Sequence, residues 1–210
     1  GLTFVCSSTF IINQISDEKS DVINKKLFLV GKHISDEKSK SIAKYLMFLG
    51  LLILVLVNWF SALLVGIIYI IWGIIYNQNP YNWKGKPILG WLANSIVGII
   101  LFSIGWGLVM QNQSNSAIIP LDISMLTLLL PYGFCFSSVS LLTTLPDIVG
   151  DSSSGDKTFP IVFGKGITLL ISLVLIIIAF IVALENNDPL ASTATLVSIP
   201  FFIFAFIRSM

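Results

Sequence analysis

Two acidic pairs interrupt an otherwise apolar chain. Asn13, Asp17 and Asp21 are spaced i, i+4, i+8, which on a helix stacks the three side chains along one face. Asp147 and Asp151 repeat the i, i+4 interval within Pro146-Asp147-Ile148-Val149-Gly150-Asp151. Like charges at that spacing repel and weaken a helix, so helix stability does not account for either pair, whereas a cation between them does. Carboxylate oxygens with an amide carbonyl are hard donors suited to Mg²⁺, which usually takes one or two carboxylates and completes its octahedron with water and phosphate oxygens. The candidate metal ligands are therefore Asn13, Asp17, Asp21, Asp147 and Asp151, with the four aspartates as candidate catalytic residues. A diphosphate, repelled by bare aspartates, would be bridged to them by such a metal. The competing reading, solvated loop acids paired with neighbouring lysines, suits a single aspartate better than two matched pairs.

The elements that must carry these residues are membrane helices. Of 210 residues 55% are hydrophobic and only 11% charged, against roughly 25% charged in a soluble domain, and one aqueous core cannot hide that much apolar surface. Apolar segments cover residues 1–12, 45–60, 61–76, 88–110, 123–145, 167–184 and 190–207. The uncharged run 45–76 would span about 48 Å as one helix, too long for a hydrocarbon layer of about 30 Å, so a tight hairpin is expected near residues 58–61. With seven crossings all twelve Lys and Arg residues fall on one side, seven of them between the first two segments. The positive-inside rule then makes that side, and the mouth of the site, cytoplasmic. The expected fold is an all-α polytopic transmembrane bundle in a single domain over residues 1–210. Net charge is +1, which gives no reason to expect nucleic acid. Cys6 and Cys135 read as small packing residues, and His33 as a solvated loop residue. Twelve residues before Asn13 are too few to cross a bilayer, so the sequence reads as a fragment truncated at both ends.

Three motifs carry a family resemblance. The segment from Asn13 to Asp21, NQISDEKSD, resembles the first aspartate-rich motif of the UbiA superfamily of intramembrane prenyltransferases, Asn-Asp-x-x-Asp-x-x-x-Asp. The stretch DIVGDSSSGDKT from Asp147 to Thr158 is similar to the second, Asp-x-x-Gly-Asp-x-x-x-Gly-x-x-Thr. YNQNPYNWK, from Tyr76 to Lys84, resembles the family's Tyr-Ser-x-Pro-Pro-x-x-x-Lys loop. The resemblance covers the chain from a second to an eighth family helix, and so implies a nine-helix fold of which seven segments are present. It further implies that two Mg²⁺ ions hold the diphosphate of a polyprenyl donor, that Tyr76, Lys84 and Lys157 lie near that diphosphate, and that aromatic faces such as Tyr76, Trp91 or Tyr132 stabilise the allylic cation formed as diphosphate leaves. Two departures stand out. Gln14 replaces an aspartate common in the family, and the stretch after Asp21 lacks an Arg-Pro found in many members that use aromatic acceptors; Lys25 or Lys26 would supply the charge only as a point cation.

Asn94, inside the fourth segment, faces either a polar cavity or another helix; it joins Asn13, Tyr76, Lys84 and Lys157 as a candidate substrate-binding residue. Gly150 and Gly155 are expected to permit turns around the second motif. The function expected is Mg²⁺-dependent transfer of a polyprenyl group to a small acceptor, an aromatic quinone precursor by family frequency, with a glycerol-phosphate lipid or a chlorophyll-type molecule as alternatives. A cation-coupled transporter is the rival from another class. Such transporters place their acids near the bilayer midplane, where this sequence has none.

Overall fold

The computed structural model describes residues 1–26, 29–114 and 123–209. Among them the chain forms nine α-helices: α1 (Leu2–Ile23), α2 (Asp36–Val57), α3 (Trp59–Ile68), α4 (Pro87–Ser114), α5 (Ile123–Leu142), α6 (Ile148–Ser154), α7 (Phe159–Phe163), α8 (Lys165–Glu185) and α9 (Pro189–Ser209). A π-helix, Tyr69–Tyr76, continues α3, and a 3-10 turn, Trp83–Gly85, precedes α4. The only β pairing among the described residues is an isolated bridge between Val30 and Ile34. The expected all-α polytopic architecture is present.

Among the described residues six helical stretches are long and apolar enough to cross a membrane: Asp36–Val57, Trp59–Tyr76, Pro87–Gln111, Ile123–Leu142, Lys165–Glu185 and Pro189–Arg208. They match six of the seven expected segments. The seventh, residues 1–12, is the front of α1, a helix that runs on through the charged first motif and so lacks an apolar window of that length. The chain is accordingly an integral, multi-pass membrane protein.

The helices fall into two compact units, residues 1–93 with 146–158, and residues 94–145 with 159–210. In the first, α1 packs along α2, and the contact is made by small residues. Ser39, Ala43 and Gly50 are the buried positions of α2, and the Ser8 hydroxyl donates to the Ala43 carbonyl at 2.7 Å. A methyl group on Gly50 would lie 2.8 Å from the Gly1 carbonyl oxygen, so this crossing excludes any larger side chain. The expected hairpin occurs at Asn58, whose extended backbone (φ −158°, ψ 103°) ends α2. Its side chain then accepts from the Ser61 amide at 2.8 Å, which caps α3. The return brings Gly66, Ile67 and Ile70 to a cavity they share with Leu51 and Val55 of α2.

In the second unit α8 is central, packed on both α5 and α9. Its buried residues Thr168, Leu169, Ser172, Ile176, Ala179 and Ala183 form a mostly small-residue stripe, the pattern that lets membrane helices approach closely where no hydrophobic effect drives them together. Ser138 and Ser172 donate to each other's backbone carbonyls, at 2.9 and 3.4 Å. Ser95 of α4 donates to Ser137 of α5 at 2.9 Å. Hydroxyls thus find their partners across helix pairs rather than remaining unsatisfied in hydrocarbon.

Candidate functional site

All four aspartates and the loop from Tyr76 to Lys84 belong to the first unit. α1 presents Asn13, Asp17 and Asp21 at successive turns beyond its apolar front. The π-helix ends at Tyr76, and the next two side chains satisfy its last carbonyls: Asn77 donates to Trp72 at 2.6 Å and Gln78 to Gly73 at 2.7 Å. Asn77, now fixed and buried, accepts from the Asn13 amide at 2.9 Å, and its backbone carbonyl accepts from the Ser16 hydroxyl at 2.9 Å. The loop is thereby tied to the first motif. Asn13 also donates to Asp17 at 2.7 Å. With its nitrogen engaged twice, its carbonyl oxygen is the end left for a cation.

The second motif docks on α1 through α6. Asp147 stands at the N-cap of α6, and the Asp151 amide bonds back to its carbonyl at 2.9 Å. Gly150 does not serve a turn, contrary to the sequence expectation. It lies inside α6, where its amide donates to Asn24 at 2.9 Å and where a Cβ would sit 2.5 Å from the Ser20 carbonyl oxygen; close helix packing, not φ, demands glycine. Gly155 does fill the expected turn, ending α6 with φ +83°. Beyond it, Asp156 accepts from Asn82 at 3.2 Å, and the Lys157 amide donates to the Gly85 carbonyl at 2.9 Å. Three segments distant in sequence are bound into one cluster.

Two ammonium groups lie among the carboxylates. Lys84 pairs with Asp17 and donates to the Ser16 hydroxyl at 2.7 Å. Lys26 lies 2.7 Å from Asp147 and 3.4 Å from Asp21, joining the two motifs. Charge is still out of balance, because Asp17, Asp21, Asp147, Asp151 and Asp156 share these two cations. Asp151 shows the consequence: burial first, then the charges of Asp147, Asp17 and Asp156, push its pKa up to about 7. Burial likewise raises Asp21, against the opposing pull of Lys26 and with smaller pushes from the charges of Asp17 and Asp147. Burial works against the charge on Lys26, yet its bond to Asp147 and the charges of Asp147 and Asp21 raise its pKa overall. Among the described residues no three His, Cys, Asp or Glu side chains converge tightly enough to form a ready-made metal cage. The donor set itself, oxygen-rich and short of positive charge, fits a hard divalent cation.

The other expected residues are placed as follows. Lys157 is exposed beside the cluster. Tyr76 and Trp91 are half-buried in the same unit, while Asn94 and Tyr132 belong to the second, where the Tyr132 ring lies 5.3 Å from that of Phe102. His33 is exposed, and Cys6 and Cys135 are free thiols in helices. Sequence reasoning overlooked Ser16, Asn24, Asn77, Asn82 and Asp156. Asn77, Asn82 and Asp156 stand inside the very motifs that were recognised, so the signal was present; their contacts depend on chain pairings 64 to 74 residues apart, which spacing does not reveal.

Comparison with curated proteins and with solved structures finds no significant match. The model of the UbiA prenyltransferase family matches residues 1–210. With two aspartate motifs joined in one cluster and six helices able to cross a bilayer, the chain belongs to the UbiA prenyltransferase family.

Proposed function

We propose that the protein transfers a polyprenyl group from a polyprenyl diphosphate to a small acceptor in a Mg²⁺-dependent reaction, with an aromatic quinone precursor as the acceptor. The observation that supports this most is Lys26 lying between Asp21 and Asp147, because a cation shared by both motifs is what a diphosphate site built from aspartates requires. Asp17, Asp21, Asp147 and Asp151, with the carbonyl oxygen of Asn13, would hold Mg²⁺. When bound, the metal supplies positive charge that neutralises the diphosphate and favours its departure.

The remaining work falls to the chain itself. Lys84, held by Asp17 and Ser16, and the exposed Lys157 present ammonium groups to the leaving diphosphate oxygens. Asn77 and Asn13 fix the loop against α1, so the Lys84 ammonium is positioned before substrate arrives. Apolar helix surface takes the isoprenoid tail, and the face of Tyr76 stabilises positive charge on the allylic carbon. The acceptor attacks that carbon and loses a proton. In this reading the charged mouth faces the cytoplasm, as the one-sided distribution of Lys and Arg implies.

The test is product formation, read by mass, with membranes containing the full chain, labelled geranylgeranyl diphosphate and a panel of phenolic, glycerol-phosphate and chlorophyll-type acceptors. Product that requires Mg²⁺ and disappears in Asp17→Ala and Asp147→Ala is expected. Full activity in either variant contradicts the proposal, and cation-driven substrate flux without product would favour transport instead.

A further inference from the structure

Beside the first motif, a cavity of about 500 Å³ opens among α1, α2 and the end of the π-helix. Its apolar wall includes Ile15 and Tyr69; its polar wall is Ser16, Asn77, Lys40 and Lys44. Lys40 and Lys44 stand one helical turn apart on α2, immediately before the apolar run 45–57. Both are exposed, and neither makes an ion pair among the described residues. Like charges at this spacing repel, and here they line a cavity with a buried amide group at its edge. Basic flanks serve to orient membrane proteins, but orientation alone does not require two unpaired lysines to share a concave pocket with amide and hydroxyl groups.

From this arrangement we infer that the cavity is a binding site for the phosphate-bearing headgroup of an anionic membrane lipid, separate from the diphosphate site. Lys40 and Lys44 supply the charge for a phosphodiester, Ser16 and Asn77 border it with polar groups, and Ile15 and Tyr69 lie where the upper acyl chain continues into the hydrocarbon. Basic pockets between membrane helices at the charged leaflet are matched to such headgroups. Ser16 and Asn77 are common to both regions, because the Ser16 hydroxyl also accepts from Lys84 and Asn77 also accepts from Asn13, so the lipid would lie one side chain away from the catalytic cluster.

The experiment is lipid retention by the purified full chain, measured by native mass spectrometry with dioleoyl phosphatidylglycerol and dioleoyl phosphatidylcholine in competition. Wild type is expected to retain phosphatidylglycerol selectively. Lys40→Gln with Lys44→Gln should weaken that retention about tenfold or more, the paired Arg substitutions should restore it, and Lys32→Gln with Lys165→Gln should leave it unchanged. Equal retention of both lipids, or unaltered phosphatidylglycerol binding in the Gln pair, overturns the inference. A parallel arm adds inorganic phosphate alone: displacement of phosphatidylglycerol only at concentrations far above that of the lipid supports a headgroup site, whereas equally tight binding of free phosphate would show that the acyl chain contributes nothing and defeat the lipid assignment. Helix content by circular dichroism, unchanged in the Gln pair, separates loss of binding from loss of fold.

Discussion

In the unit built on α5, α8 and α9, Thr168, Ser172, Ala179 and Ala183 bring helices into close contact, and hydroxyls are paired across the interface. The unit that carries the aspartates uses the same small-residue packing between α1 and α2, but its charged end is held by Lys26 and Lys84 set among five carboxylates. The unit of α5, α8 and α9 pairs its buried hydroxyls internally. The other leaves Asp151 with a pKa near 7 and no hydrogen bond to its carboxylate among the described residues. The difference teaches where stability yields to function: an arrangement short of positive charge is a poor way to hold helices together and a good way to receive a cation.

Substitutions can break that contrast in order of size. Asp147→Ala should reduce prenyl transfer by on the order of 10²–10³-fold or more, as removal of a charge-stabilising group at a reacting centre does, while Ser172→Ala should leave the turnover nearly unchanged; a product assay on the two variants decides it. Next come two overpacking changes, Gly150→Val in the first unit and Ala183→Leu in the second, each expected to cost about 1–3 kcal/mol. Thermal unfolding should find both destabilised, but only Gly150→Val should also lose stabilisation by Mg²⁺, because it displaces α6 and with it Asp147 and Asp151.

A smaller effect is expected from pH. The folded protein holds a proton on Asp151 up to about pH 7, where the unfolded chain has lost it near the ordinary aspartate value of about 3.9. Without metal, stability should therefore decline as pH rises from about 4 to 7. Mg²⁺ should reverse the decline at the upper end and bind less well below pH 7, where it must displace the proton. Melting curves with and without Mg²⁺ check both signs, and Asp151→Asn should flatten the dependence. The smallest change is Ser172→Ala itself, about 0.6 kcal/mol for an interhelical hydrogen bond in a membrane protein, measurable by unfolding in mixed micelles.

The sequence made much of this legible. Hydropathy and length located six spans and required a break in the run 45–76, which Asn58 provides. The i, i+4 aspartates marked both motifs, and local spacing is enough for that because a helix places such residues on one face. Gly150 was misread, since a glycine that admits a neighbouring helix looks in sequence like one that permits a turn; only the Ser20 carbonyl against it tells the two apart. Lys26 was recognised as a source of charge, but its place between Asp21 and Asp147 follows from α6 docking on α1, a contact over more than a hundred residues that no local pattern encodes.

The central claim is that the two aspartate motifs act as one cation and diphosphate site. It is tested most directly by calorimetric titration of an unreactive geranylgeranyl diphosphate analogue into the purified protein with Mg²⁺, comparing wild type, Asp21→Asn, Asp147→Asn and the double variant. Residues that act through a shared ligand are not additive, so each single substitution should weaken binding nearly as much as both together. Independent, additive losses from the two substitutions, or Mg²⁺-dependent binding that survives in the double variant, would contradict a single site.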